Sequence, residues 1–211
     1  MQWILQIPAL FFSIIIHEFG HGYMAYKRGD DTAYLSGRLT LNPLPHVDII
    51  GTLILPAISL ITGAPLIGWA KPVPVNPYRM NDPYRDMVWV ASSGPISNIL
   101  LSLLSVSVLN LMFVLGLHKI MFFLPLIYMF QYMVYINLML GFFNLLPVYP
   151  LDGGQIVLNI LPYKYREIYE KILPYGMYIV IFLVVSGLIK FWIIFPTNLM
   201  IKFYNSIGLV I

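Results

Sequence analysis

SIIIHEFGHGYMAY, residues 13–26, decides how this chain is read. Two histidines and a glutamate sit inside a run that is otherwise apolar enough to cross a membrane. Ionisable groups in hydrocarbon are costly, and where they occur they mark function by default. The histidines are four residues apart, which on a helix places them on one face, about 40° from each other. His17 and His21 can therefore reach one metal ion through their imidazole nitrogens. Glu18 is about 100° round the helix. It is suited to act on a metal-bound water and poorly placed as a ligand.

Composition supports a membrane setting for that helix. Of 211 residues, 59% are hydrophobic and 10% charged, against about 25% charged in a soluble domain. The mean hydropathy is +0.81. Long apolar runs imply helices rather than a barrel. The net charge of +3 is small and its carriers are scattered, which excludes nucleic acid as a partner. There is no cysteine, so disulfides and thiolate metal sites are excluded. The stretch MQWILQIPALFFSIII has no basic n-region and no small-residue cleavage site, and is read as retained.

These features predict an all-α polytopic membrane protein. The expectation is four to six transmembrane helices, a re-entrant segment and a small membrane-associated β hairpin. Residues 3–26 form the first apolar segment, closed by Lys27 and Arg28. In YLSGRLTLN, residues 34–42, Leu35, Leu39 and Leu41 alternate with Ser36, Arg38 and Thr40, which is strand periodicity. Residues 49–68 are apolar but interrupted by Pro56, Gly63 and Pro65. PVPVNP, residues 72–77, must be extended, because a residue before proline is pushed out of the helical region. Long helices follow at 88–117 and 120–146, then the broken stretch FFNLLPVYPLDGGQIV, a polar piece, and a fourth helix at about 172–190. The last stretch, 191–211, either crosses or lies against the membrane. With no internal repeat or appended soluble domain, residues 1–211 read as one membrane-embedded domain, with a core at about 3–160 and C-terminal helices at about 165–211.

The positive-inside rule orients the helices. If residues 49–68 dip in and return, nine of the twelve Lys and Arg lie on the cytoplasmic side. His17 and His21 then sit roughly 9–15 Å below that face. Non-helical backbone at that depth must be buried in protein or line a water-filled cavity.

Catalytic zinc holds three protein ligands and a water, lowers the pKa of that water to about 7 and polarises a carbonyl. One zinc per chain is expected, with Glu18 moving the proton. The candidates for the third ligand are His46, His118, Asp48, Asp82, Asp86, Asp152, Glu167 and Glu170. Topology favours Asp152, at the cytoplasmic end of the third long helix and in apolar surroundings. Gly153 and Gly154 follow it and allow close backbone approach.

HEFGH in an apolar helix, followed by GRLTLNPLPHVD, GWAKPVPVNP, SGPISN and NLLPVYPLDGG, resembles the site-2 proteases, the intramembrane zinc metalloproteases. The matches span residues 17–154 in the family's order, in a compact form without a PDZ or CBS domain. The resemblance implies zinc on His17, His21 and Asp152, Glu18 as general base and Asn144 near the scissile carbonyl. It further implies a partner, the transmembrane helix of a membrane-protein substrate in a lipid bilayer. The location implied is a prokaryotic plasma membrane, with the active site nearer the cytoplasmic face.

Pro150 and Asn98 are read as shaping the site or aiding substrate access, and His46 as lying near the cavity mouth. Three other readings compete. A different membrane zincin would use a glutamate as third ligand, and the downstream glutamates lie in a polar surface piece. A non-proteolytic metal carrier would spread ligands along a path through the bilayer. An inactive chaperone-like relative has no need of Glu18. No coiled-coil or GxxxG pattern fixes an oligomeric state.

Overall fold

A computed structural model describes residues 2–62 and 68–209. Gly63 and Pro65, two of the expected interruptions, lie outside the described residues. All regular structure among the described residues is helical. The first helix, α1, is Gln2–Lys27. At about 1.5 Å per residue its 26 residues span about 39 Å. A short helix, α2 (Thr32–Leu35), follows. A π-helical turn, Ile49–Ile54, then leads into α3, Leu55–Thr62.

The longest helix, α4, is Pro83–Val114. Its start is fixed locally. Proline stands at the first helical position, where no N–H is needed. The Asp82 carboxylate caps Arg85 N at 3.2 Å, and Asp86 reaches back to Asp82 N at 3.0 Å. The same Asp86 takes Arg28 Nη1 at 3.2 Å, so the end of α1 is tied to the start of α4. Gly116, with φ +70°, ends the segment in a left-handed turn that other residues resist. Helix α5 is Leu124–Asn144, and α6 is Asp152–Ile160. Helices α7 (Tyr163–Glu170), α8 (Gly176–Val185) and α9 (Ile189–Ser206) complete the chain.

Helix α4 is the hub. It packs against α1, α5 and α6, and α9 lies along α5. Val106, Val134, Leu138 and Tyr204 form a fully buried cluster where α4, α5 and α9 meet. The outward faces are apolar: Leu100, Leu104, Leu111 and Val114 on α4 are exposed, as are Phe191 and Phe195 on α9. Such surfaces suit lipid.

Two expectations need correction. First, there is no strand among the described residues, so the β hairpin at 34–42 is absent. Its alternation does not sort the residues by burial. Leu35 and Leu41 are 66% and 48% exposed, while Arg38 is only 9% exposed. The Arg38 guanidinium is drawn inward to bond the carbonyls of Pro45 and Pro72. Side chains also take over backbone donors: Thr40 Oγ1 accepts Asn42 N, and Asn42 Oδ1 accepts Leu44 N. Such local bonds compete with a strand ladder.

Second, four to six spans were expected. Among the described residues two helices, Pro83–Val114 and Met121–Asn144, are long and apolar enough to cross a membrane. Tyr163–Glu170 with Leu173–Val185, bent by 41°, makes a third if read as one span. The expected fourth helix at 172–190 is split. Gly187, with φ +75°, separates the ten-residue α8 from α9. Helix α9 carries Lys190, Asn198 and Lys202 within its 18 residues.

The described ends of the apolar stretch after Asp48 meet. Asp48 caps its start, accepting Ile50 N and Gly51 N at 3.0 and 2.8 Å. At its end, Trp69 N donates to Gly51 O at 3.2 Å, and Thr52 Oγ1 donates to Trp69 O at 3.0 Å. Lys71 N then bonds His46 O, which delivers the PVPVN segment alongside α1.

Candidate metal centre

The structure brings His17, His21 and Asp152 together, with one ligand atom of each within 4.8 Å of the others. Helix periodicity pairs the histidines on α1. Asp152 arrives as the first residue of α6, 131 positions after His21. Two glycines make that arrival possible. A Cβ on Gly153 would stand 2.3 Å from Leu145 O, and one on Gly154 2.4 Å from Tyr149 N. Only a residue without a side chain lets α6 start so close to the turn that ends α5.

Helix α4 forms the wall behind the imidazoles, through three positions spaced four residues apart. Val90 O accepts from His21 Nδ1 at 2.7 Å. Asn98 Oδ1 accepts from His17 Nδ1 at 2.6 Å. Between them, a Cβ on Gly94 would lie 2.3 Å from His21 Nε2 and 2.8 Å from His17 Cε1. One face of α4 thus offers two oxygen acceptors and a gap.

That face determines the chemistry of the pocket. A carbonyl oxygen only accepts, so each Nδ1 must carry the proton. Each Nε2 of a neutral imidazole is then a bare lone pair. The two Nε2 atoms stand 3.0 Å apart. Asp152 Oδ2 is 3.1 Å from His17 Nε2, and Oδ1 is 3.3 Å from His21 Nε2. Asp152 Oδ2 is buried without a hydrogen-bond donor. Lone pairs at these distances repel unless a proton or a metal ion lies among them. Ligand atoms of a tetrahedral zinc, with bonds of about 2.0–2.1 Å, stand about 3.3 Å apart. The donor set and its spacing fit zinc.

The other candidates fall in different places. The Glu18 carboxylate accepts the backbone N–H of Val73 at 2.8 Å. Asn144, the last residue of α5, donates to Leu140 O of its own helix at 3.0 Å. Pro150 is exposed, follows Tyr149 through a cis peptide bond and precedes the start of α6. His46 is fully buried away from the three ligand candidates, its Nε2 on Thr40 O at 2.9 Å. His118 stacks on Phe113 at the far end of α4.

Val73, Gly94, Ser13 and Asn137 escaped the sequence reading. Signals existed for the last three. Gly94 lies in the SGPISN stretch, and Ser13 and Asn137 are polar residues in apolar helices, where such residues pair across helices. Nothing local marks Val73, whose role comes from a contact 55 residues distant in the chain.

Comparison with known proteins points the same way. Residues 117–187 match the model of Peptidase family M50. The chain is 38% identical over 189 residues to "Putative zinc metalloprotease YwhC" of Bacillus subtilis, covering 88% of this chain and 83% of that one. It is 28% identical over 196 residues to "Putative zinc metalloprotease Rip2" of Mycolicibacterium smegmatis, covering 90% and 70%. To "Zinc metalloprotease MJ0392" of Methanocaldococcus jannaschii it is 26% identical over 165 residues, covering 77% of this chain and 36% of that one. No solved structure matches. A zinc-shaped cluster on an HExxH helix and a relative of this identity over most of its length agree: the chain belongs to Peptidase family M50, the site-2 proteases, and is a membrane zinc metalloprotease.

Proposed function

We propose that the protein is an intramembrane endopeptidase that hydrolyses peptide bonds within transmembrane segments of other membrane proteins, at a site nearer the cytoplasmic face. The observation that carries this reading is the position of the lone-pair cluster of His17, His21 and Asp152, walled in by α4 and reached from apolar helices. Bound there, zinc supplies Lewis acidity and lowers the pKa of a water to about 7. His17, His21 and Asp152 hold the metal. Glu18 takes the proton from the attacking water and passes it to the leaving amine. Its carboxylate is aimed by the Val73 amide.

Asn144 directly precedes Leu145 and Leu146, whose carbonyls Gly153 packs against, next to Asp152 in the chain. Its amide gives one hydrogen to Leu140 O. In this reading the second donates to the oxyanion as the carbonyl is attacked.

A peptide bond in a helix is shielded by its own hydrogen bonds, so the substrate must unwind locally. The freed groups then need partners where water is scarce. An apolar groove of about 410 Å³, lined by Phe11, Ile14, Leu44, Val47 and Trp69, runs to within one turn of Glu18 on α1. It can take the apolar side chains of an unwound segment. The PVPVN segment offers mainly acceptors. Pro72 and Pro74 have no N–H, and the amides of Val73 and Asn76 donate to Glu18 and Asp30. It therefore receives N–H groups of the substrate on its carbonyls.

The test is mass spectrometry of membrane proteins from cells with and without the active protein. New termini inside transmembrane segments support the reading. New termini confined to extramembrane loops would refute it.

A further inference from the structure

Asn98 fixes His17, and Asn98 is itself fixed. Its Nδ2 donates to Ser13 O at 3.1 Å and to Asn137 Oδ1 at 2.8 Å. Asn137 Nδ2 donates to Met133 O at 2.8 Å and to Ser13 Oγ at 2.9 Å. Ser13 Oγ donates to Ala9 O at 2.8 Å, so toward Asn137 it can only accept. Ser13, Asn98 and Asn137 are all 0% exposed.

Each amide in this chain has one allowed orientation. Turning Asn137 over would set its oxygen against the Met133 carbonyl and its nitrogen against the donor Nδ2 of Asn98. Turning Asn98 over would set its oxygen against Ser13 O and Asn137 Oδ1. Unmatched polar groups at full burial are expensive, so the order of donors and acceptors is forced. The constraints start at three backbone carbonyls, Ala9 O, Met133 O and Ser13 O, which only accept. They run through Asn137 on α5 and Asn98 on α4 to the Nδ1–H of His17 on α1. They end at the His17 Nε2 lone pair facing His21 and Asp152.

We infer that Asn137 is a positioning residue for the metal centre: by locking the Asn98 amide it sets the His17 tautomer that presents Nε2 to zinc. The inference rests on the metal-site reading above. Outer hydrogen-bond partners of metal-ligating histidines fix ring orientation and tautomer, and losing one typically costs about 10–100-fold in metal affinity. Here the lock is two residues deep and joins three helices.

The test is zinc affinity of the purified full-length chain by competition with a chelator. Asn137→Leu is expected to bind zinc about tenfold more weakly. Ser102→Ala is the control. Ser102 Oγ bonds Val134 O at 3.0 Å and ties α4 to α5 just as Asn98 does to Asn137, but away from the metal. It should keep wild-type affinity. Nitrogen NMR of the chelated variants supplies the readout that a merely structural role would not move: His17 should be a mixture of tautomers in Asn137→Leu and stay Nδ1–H in Ser102→Ala. Wild-type affinity in folded Asn137→Leu, an equal loss in Ser102→Ala, or an unchanged His17 tautomer in Asn137→Leu would overturn the inference.

If Asn137→Leu does not fold, nitrogen NMR of the wild-type histidines after chelation decides. His17 should remain in the Nδ1–H tautomer without metal. A switch to Nε2–H, or a mixture, would refute the lock. A wild-type chain that binds no zinc would instead sink the metal-site reading itself, so the two failures are distinguishable.

Discussion

The backbone N–H of Val73 donates to the Glu18 carboxylate at 2.8 Å, and Val73 stands between two prolines. Those prolines hold the segment extended on either side of the donor. Val73 is buried against α1, where a Cβ on Gly22 would meet its side chain at 2.9 Å. Glu18, the proposed general base, is thus held by a stiff external strap rather than by its own helix.

Val73→Pro removes the donor while keeping an apolar side chain of similar size. A hydrogen bond to a charged group contributes about 1.5–3 kcal/mol. The turnover number should fall about 10–100-fold, with zinc content unchanged. The check is steady-state cleavage beside metal analysis of the same preparation.

Gly94→Ala separates folding from metal binding. Alanine in a helix is about 1 kcal/mol better than glycine, yet the new Cβ would stand 2.3 Å from His21 Nε2. Zinc affinity should drop by at least about 100-fold, more than an outer-partner loss alone would give. Thermal stability measured in excess chelator should hold or rise. A variant that keeps zinc would show that the α4 wall is not as close as described.

Asp152→Asn puts a donor where the structure has an acceptor. Its Nδ2 can bond a histidine Nε2 that otherwise faces another lone pair at 3.1 or 3.3 Å. Without metal the variant should be no more stable than wild type, because a histidine that takes a proton already pairs with the Asp152 carboxylate. With zinc present the variant should be clearly the less stable, since the carboxylate charge is lost. Melting temperatures with and without added zinc test both expectations.

Parts of this arrangement were legible in the sequence. The HExxH spacing pairs His17 with His21 through helix geometry alone, and charge placement put Asp152 at a matching depth. Helix α4 and helix α5 followed from long apolar runs. The loop at 34–42 misled because alternation says which residues share a side, not which side is buried. Arg38 took the inner side by bonding carbonyls from two other segments. The span count misled because Gly187 breaks an apolar run that hydropathy treats as continuous. The Val73–Glu18 bond and the Asn137–Asn98 lock depend on contacts between elements far apart in the chain. A single sequence does not reveal such contacts.

Glu18→Gln, purified and placed in proteoliposomes with a transmembrane substrate, gives the most direct measurement. The amide still accepts the Val73 N–H through its oxygen but takes no proton from water. The variant should bind one zinc per chain, fold as wild type and release no product cut within the membrane segment. Cleavage at the wild-type rate by a zinc-loaded Glu18→Gln chain would contradict the assignment of Glu18 as base, and with it the mechanism.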